Sequence, residues 1–226
     1  MAKSQKSWIF GISPRGNRVA KYLKNSKKER ILNIIGVVLL LMGITVLVEH
    51  SVFGRWQYSV WFCNHAMIIS GLAVLFRNRF WLTAMLNWSL IPLSLWVIDF
   101  IGKVFFGVYI FRITEYMFDG TLLAHIISLQ HLFTVPLMLY AMYLLGKPAR
   151  WAWLGTTLHA AILWIISYYI ITPDYNINCV HQACISMRWL PGYVHVWPFI
   201  GILMFFVTNW FLVWIFSGRE ARHQAR

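Results

Sequence analysis

Charge is scarce in this chain, acids are scarcer, and cysteine occurs three times. Only 12% of the 226 residues are charged while 59% are hydrophobic. A soluble domain usually carries about twice that charge, so an ordinary soluble fold is excluded. Seven acids against 20 basic residues leave a formal net charge of +13. The imbalance does not point to nucleic acid, because the basic residues gather at the ends of apolar runs, where anionic headgroups wait. The sequence has no glycine-rich nucleotide loop and no His-Glu-x-x-His pair, which sets aside P-loop and helix-borne zinc chemistry. The lack of an internal repeat argues against an inverted-repeat transporter. The first 30 residues contain no apolar stretch, so no cleaved signal peptide is expected and the first apolar run should remain as an anchor. A chain of this length has no room for a folded soluble domain beside a membrane domain.

What the sequence does have is six apolar runs: 31–48, 56–76, 80–101, 121–146, 151–172 and 193–216. Each is near the ~20 residues that cross a bilayer. Hydrocarbon offers no partner for a free backbone N–H, so the runs are expected to be helices. Sixteen of the 20 Lys and Arg residues fall in 3–30, 77–79, 147–150 and 219–226. Arg55, Lys103, Arg112 and Arg188 fall in the alternate gaps with four of the seven acids, and a fifth, Asp99, lies at the adjoining end of run three. By the positive-inside rule this predicts an all-α bundle of six transmembrane helices with both termini cytoplasmic. Residues 1–30 form a basic arm, 31–217 the membrane domain and 218–226 a basic tail. A bacterial inner membrane and a eukaryotic secretory-pathway membrane both fit. The expected partners are membrane lipids, with other membrane subunits as a further class. Trp56, Trp81, Trp151, Trp153 and Trp189 lie near the expected interfaces, as aromatic belts do.

Two outer segments stand out. Residues 102–119 are too short to span and too apolar for a free loop; a short interfacial helix and an inward lid are the two readings. Residues 173–191 carry Cys179 and Cys184 on the oxidising side, where a disulfide is expected. Metal binding by Cys179, His181 and Cys184 and a catalytic redox pair are weaker alternatives, since a fourth ligand and a C-x-x-C spacing are both missing. Pro92, Pro136 and Pro198 fall within the runs and could kink them.

Polar groups inside membrane helices usually have a partner or a task. Run two carries Cys63, Asn64 and His65; run three Asn87 and Asp99; run four His125, Ser128, Gln130 and His131; run five His159 and Ser167; run six His195 and Asn209. At about 1.5 Å per residue, His65 lies roughly 13 Å below the outer face, His125 about 6 Å and His131 about 15 Å. His159 falls near mid-membrane, level with His131. If their helices are neighbours, Cys63, His65, Asp99, His125, His131 and His195 line one cavity that opens outward. On run four, Ser128 is a face neighbour of both His125 and His131. His125 and His131 themselves diverge by roughly 120° in an ideal helix.

Three functions fit such a chamber. The first is acyl transfer, with Cys63 as a nucleophile whose proton passes to an imidazole. His65 points elsewhere on the same helix, so His131 or His125 from another helix is the better base, and Asp99 and Ser128 complete the candidate catalytic set. Here Trp61-Phe62-Cys63-Asn64-His65, the histidines on later helices and Asn176-Ile177-Asn178 together resemble the YwaF-like membrane proteins. A eukaryotic branch of that family is regarded as a phospholipid acyltransferase using a Cys and a His. The resemblance implies Cys63 as acyl carrier and His131 as base. The second function is electron transfer through haem held between histidines on facing helices, with His131 and His159 as the level pair and His65 with His125 or His195 as another. The third is a transporter or a structural subunit of a membrane complex. The haem reading predicts a Soret band in the absorption spectrum of the pure protein; a colourless preparation removes it.

Overall fold

The computed structural model describes residues 14–118, 122–184 and 192–224, and these are helices and short connections with no strand among them. The helices are α1 (Pro14–Val52), α2 (Phe62–Leu75), α3 (Arg79–Phe106), α4 (Glu115–Phe118), α5 (Leu122–Ser128), α6 (His131–Leu145), α7 (Ala152–Tyr169) and α8 (Tyr193–Gln224). Among the described residues four stretches are long and apolar enough to cross a membrane: Asn25–Val52, Arg79–Phe106, His125–Leu145 and Tyr193–Ser217. The remaining two runs give shorter rods, α2 with 14 residues and α7 with 18.

The helix ends follow local chemistry. The Asn78 side chain accepts the Trp81 N–H at 3.2 Å and starts α3, as an N-cap does. Gly107, at φ +71, ends it, and its N–H reaches the Lys103 carbonyl at 3.0 Å, a left-handed cap that favours glycine. Arg77 closes α2. Its guanidinium donates to the carbonyls of Val74 (2.6 Å) and Leu75 (3.1 Å), and to Asn33 (2.6 Å) and Glu29 (2.8 Å) on α1.

Helix α3 is the spine, packing against α2, α6, α7 and α8, while α1 lies on α2 and α6. Lipid is as apolar as the helices, so close contact and interhelical hydrogen bonds hold such a bundle together. Leu39, Leu82, Met85, Leu86, Met138 and Met142 are fully buried where α1, α3 and α6 meet. Gly36 and Gly43 of α1 face α2 across a crossing so close that a Cβ on Gly71 would stand 2.7 Å from the Leu40 nitrogen and 2.9 Å from the Gly36 carbonyl oxygen. Asn87 ties three helices: its amide donates to Asn209 at 2.9 Å and Thr156 at 3.3 Å.

Several expected boundaries move. The run 56–76 is not one helix: Trp56–Val60 form a 3-10 turn and α2 starts only at Phe62. The run 121–146 divides at Leu129 and Gln130 into α5 and α6. Helix α1 begins at Pro14 and continues into the expected basic arm, and α8 continues into the basic tail as far as Gln224. Segment 102–119 becomes the last turns of α3, a fold-back over 107–114 and the short α4. The prolines do not make these breaks; Pro92, Pro136 and Pro198 lie inside continuous helices. Arg188 and Trp189, residues 1–13 of the arm, Asp119 and the last two residues of the tail lie outside the described residues.

Gly71→Leu tests the α1–α2 crossing. Its side chain meets backbone that cannot step aside, and overpacking of this kind costs about 1–3 kcal/mol. The thermal unfolding midpoint of the purified protein is expected to fall; an unchanged midpoint would mean that the two helices are not held this close.

Candidate functional site

The first break, ahead of α2, is built from side chains that take over backbone partners. The Asn64 amide donates to the Tyr58 carbonyl at 2.9 Å, and the His65 ring bonds the Ser59 carbonyl. The Asn178 amide donates to the Val60 carbonyl at 3.0 Å and to Ser167 Oγ at 3.1 Å, while its carbonyl oxygen accepts the Phe62 N–H at 2.9 Å. Asn178 thus caps α2 from 116 residues away in the chain. Cys63 is therefore the second residue of α2, in the first turn where N–H groups lack intrahelical partners. The Cys63 thiol donates to the Asn64 side-chain oxygen at 3.7 Å, and Cys63 is in no disulfide.

The second break, between α5 and α6, is closed by His131, whose Nδ1 lies 2.7 Å from the Ser128 carbonyl oxygen. A carbonyl only accepts, so Nδ1 carries the proton of the neutral ring and Nε2 keeps its lone pair. The His131 ring stacks on Trp96 of α3 at 4.8 Å. Trp96 donates from its indole N–H to the Tyr116 hydroxyl at 3.1 Å. That hydroxyl also lies beside the Ser128 side chain. Ser128 and His131, from α5 and the start of α6, are thus gathered around Trp96 and Tyr116, while Phe62, next to Cys63, stacks on Trp88. Ser128 and His131 are both buried. Such a group holds a hydroxyl able to donate and an imidazole with a free basic nitrogen.

His65 and His159 belong to a second cluster. Their rings lie 5.4 Å apart, and Trp88 meets the edge of His159 at 5.3 Å and stacks on Phe62 at 5.4 Å. The His159 Nδ1 is buried without a hydrogen-bond partner. His131 and His159, the level pair of the haem reading, rest against different tryptophans. Trp96 and Trp88 are eight residues apart on α3, about 12 Å along its axis. The structure does not bring those two rings together, and His65 is paired with His159 rather than with His125 or His195. His195 is exposed near the start of α8, and His125 keeps a buried Nε2 without a partner. Among the described residues no group of three or more His, Cys, Asp or Glu side chains is placed to hold a metal ion.

Asp99 is fully buried, and both oxygens are taken up by the fold-back segment. It accepts the N–H groups of Phe111 (2.7 Å), Arg112 (3.2 Å) and Thr114 (2.9 Å) and the Thr114 hydroxyl (2.8 Å). Its contacts hold the segment that delivers Tyr116 to the site; none is with Cys63 or His131. The expected Cys179–Cys184 disulfide is present, with Cα atoms 5.5 Å apart, and His181 stacks on Tyr168 at 5.0 Å rather than joining the cysteines. An apolar groove of about 280 Å³, lined by Ile69, Leu72, Phe76 and Trp81 among others, lies at the far end of α2 and touches none of these groups.

Trp96, Tyr116, Trp88 and Asn178 did not stand out from the sequence as site residues. Tyr116 sits in a segment read only for its greasiness, and two tryptophans among 13 look like packing. The one usable signal was Asn178, a polar residue beside a cysteine loop. Comparison of the chain with protein-family models, curated proteins and solved structures finds no match.

Asp99→Ala should release the fold-back. Hydrogen bonds to a charged acceptor contribute about 1.5–3 kcal/mol each, so amide exchange at Phe111, Arg112 and Thr114 is expected to rise by at least about tenfold. Unchanged protection at these amides would show that another contact holds the segment.

Proposed function

We propose that the protein is a multi-pass membrane enzyme that transfers an acyl chain between lipids through a thioester on Cys63. The observation that supports this reading is a free thiol, Cys63, at the first turn of α2 in a chain whose His131 is held on the Ser128 carbonyl with its other ring nitrogen free. In it all six apolar rods cross the membrane with both termini cytoplasmic, and α2 and α7 cross as the shorter members. The basic clusters at 77–79 and 147–150 support that orientation, and it puts the first turn of α2 near the outer face.

The chemistry follows from the groups present. His131 Nε2 takes the Cys63 proton, and the thiolate sulfur attacks the ester carbonyl of a donor lipid. The S–C bond forms as the C–O bond to the leaving alcohol breaks, and His131 returns the proton to that alcohol. A second lipid hydroxyl, deprotonated by the same nitrogen, then attacks the thioester, forms the new ester and regenerates the thiol. Tyr116, whose oxygen accepts the Trp96 N–H, has its own O–H polarised for donation to the carbonyl oxygen as negative charge develops there. The exposed side chains of Phe105, Phe106, Val108 and Ile110 form a greasy outer rim, which suits entry of a lipid from the bilayer.

The test uses purified protein and a phospholipid with a tagged acyl chain. Wild type is expected to acquire a hydroxylamine-sensitive adduct and Cys63→Ala none. His131→Gln should form it about 10²–10⁴-fold more slowly, the usual worth of a general base. An adduct that survives Cys63→Ala, or no adduct with any lipid, removes the acyl-transfer reading.

A further inference from the structure

The disulfide loop between α7 and α8 does more than close itself. Asn176 accepts the N–H groups of His181 (3.0 Å) and Gln182 (2.9 Å), and its amide donates to the Gln182 carbonyl at 2.9 Å. The Tyr193 hydroxyl of α8 donates to the Cys179 carbonyl at 2.8 Å. Asn176, Asn178 and Cys179 all have φ between +42 and +58, a region that non-glycine residues occupy only when their surroundings hold them there. The Cys179–Cys184 bridge starts at the residue next to Asn178. Asn178 in turn holds the last carbonyl of the 3-10 turn and the first N–H of α2, one residue ahead of Cys63.

We propose that Asn178, held in its left-handed conformation by the Cys179–Cys184 bridge, is a positioning residue that sets the reactivity of the Cys63 thiol. It rests on Cys63 being the reactive group of the proposed function, and extends that reading to control of the site from the outer surface. With the bridge closed, Asn178 fixes where α2 begins, and so where the Cys63 thiol stands in its first turn beside Asn64. Reduction by a dithiol, two electrons and two protons in and one external disulfide out, releases the loop, and α2 loses its distant cap.

The readout is the rate at which Cys63 in the full-length protein is alkylated by an apolar maleimide, followed by mass spectrometry of the Cys63 peptide; Cys63→Ser identifies that peptide's adduct. Loss of a helix cap and a tenfold rate change correspond to the same energy, about 1.4 kcal/mol. Asn178→Ala and the double change Cys179→Ser with Cys184→Ser are each expected to alter the rate by about tenfold, and their combination to alter it no further, because both act through one contact. Asn178→Asp keeps the acceptor for the Phe62 N–H but loses the donor to the Val60 carbonyl, and is expected to fall between wild type and Asn178→Ala.

Should these variants fail to fold, wild-type protein reduced with a phosphine, then freed of it, carries the same expectation. A rate unchanged by Asn178→Ala, or by verified opening of the bridge, overturns the inference. The readout needs no lipid turnover. A rate that responds without any acyl adduct keeps the inference and discards acyl transfer; an adduct with an unresponsive rate does the reverse.

Discussion

A helix that breaks among apolar neighbours must find new partners for the carbonyl and N–H groups it frees, because hydrocarbon supplies none. That constraint organises this molecule. Ahead of α2 the Tyr58, Ser59 and Val60 carbonyls are met by Asn64, His65 and Asn178. Between α5 and α6 the Ser128 carbonyl is met by His131. The polar side chains that look like a set of catalytic candidates in the sequence are in part the groups that make the interruptions tolerable. The two roles do not conflict. A histidine that gives one nitrogen to a carbonyl is fixed in orientation and tautomer, and it presents the other nitrogen as a base in a known direction.

Helix α3 sorts these groups by height. Asn87 and the interhelical network with Thr156 and Asn209 come first along it, and Trp88 with the His65–His159 pair follows at once. Two turns further on stand Trp96, His131 and Tyr116, and then Asp99 with the fold-back it holds. The histidines therefore form two tiers rather than one chamber. One tier keeps the Tyr116 hydroxyl and one imidazole; the other is an aromatic and imidazole core joining α2, α3, α7 and α8, with Cys63 one residue from its Phe62. Two loops reach these tiers, 107–114 through Asp99 and 173–184 through Asn178.

Much of the architecture could be read from residue order. The apolar runs locate the long helices because a bilayer-scale stretch without charge has few other uses, and four of them are long and apolar enough to cross. Cys179 and Cys184 could be paired because they share one short loop. The breaks at 60–61 and 129–130 could not be seen. No proline or glycine marks either one, and the partners that permit them come from elsewhere in the chain. Depth counted along run two took it as one unbroken α-helix, whereas α2 begins six residues later than the run does.

Composition and charge order, then, determined that this is an all-helical membrane chain, because hydropathy and the basic clusters act residue by residue and need no neighbour. Which imidazole meets which tryptophan, why Asp99 faces a backbone loop and how Asn178 comes to cap a helix 116 residues away were decided only by tertiary structure. Those pairings depend on the lateral order of the helices around α3 and on where each helix stops. Both are set by close packing and by the need to satisfy every buried polar group, which are properties of the assembled chain rather than of any one segment.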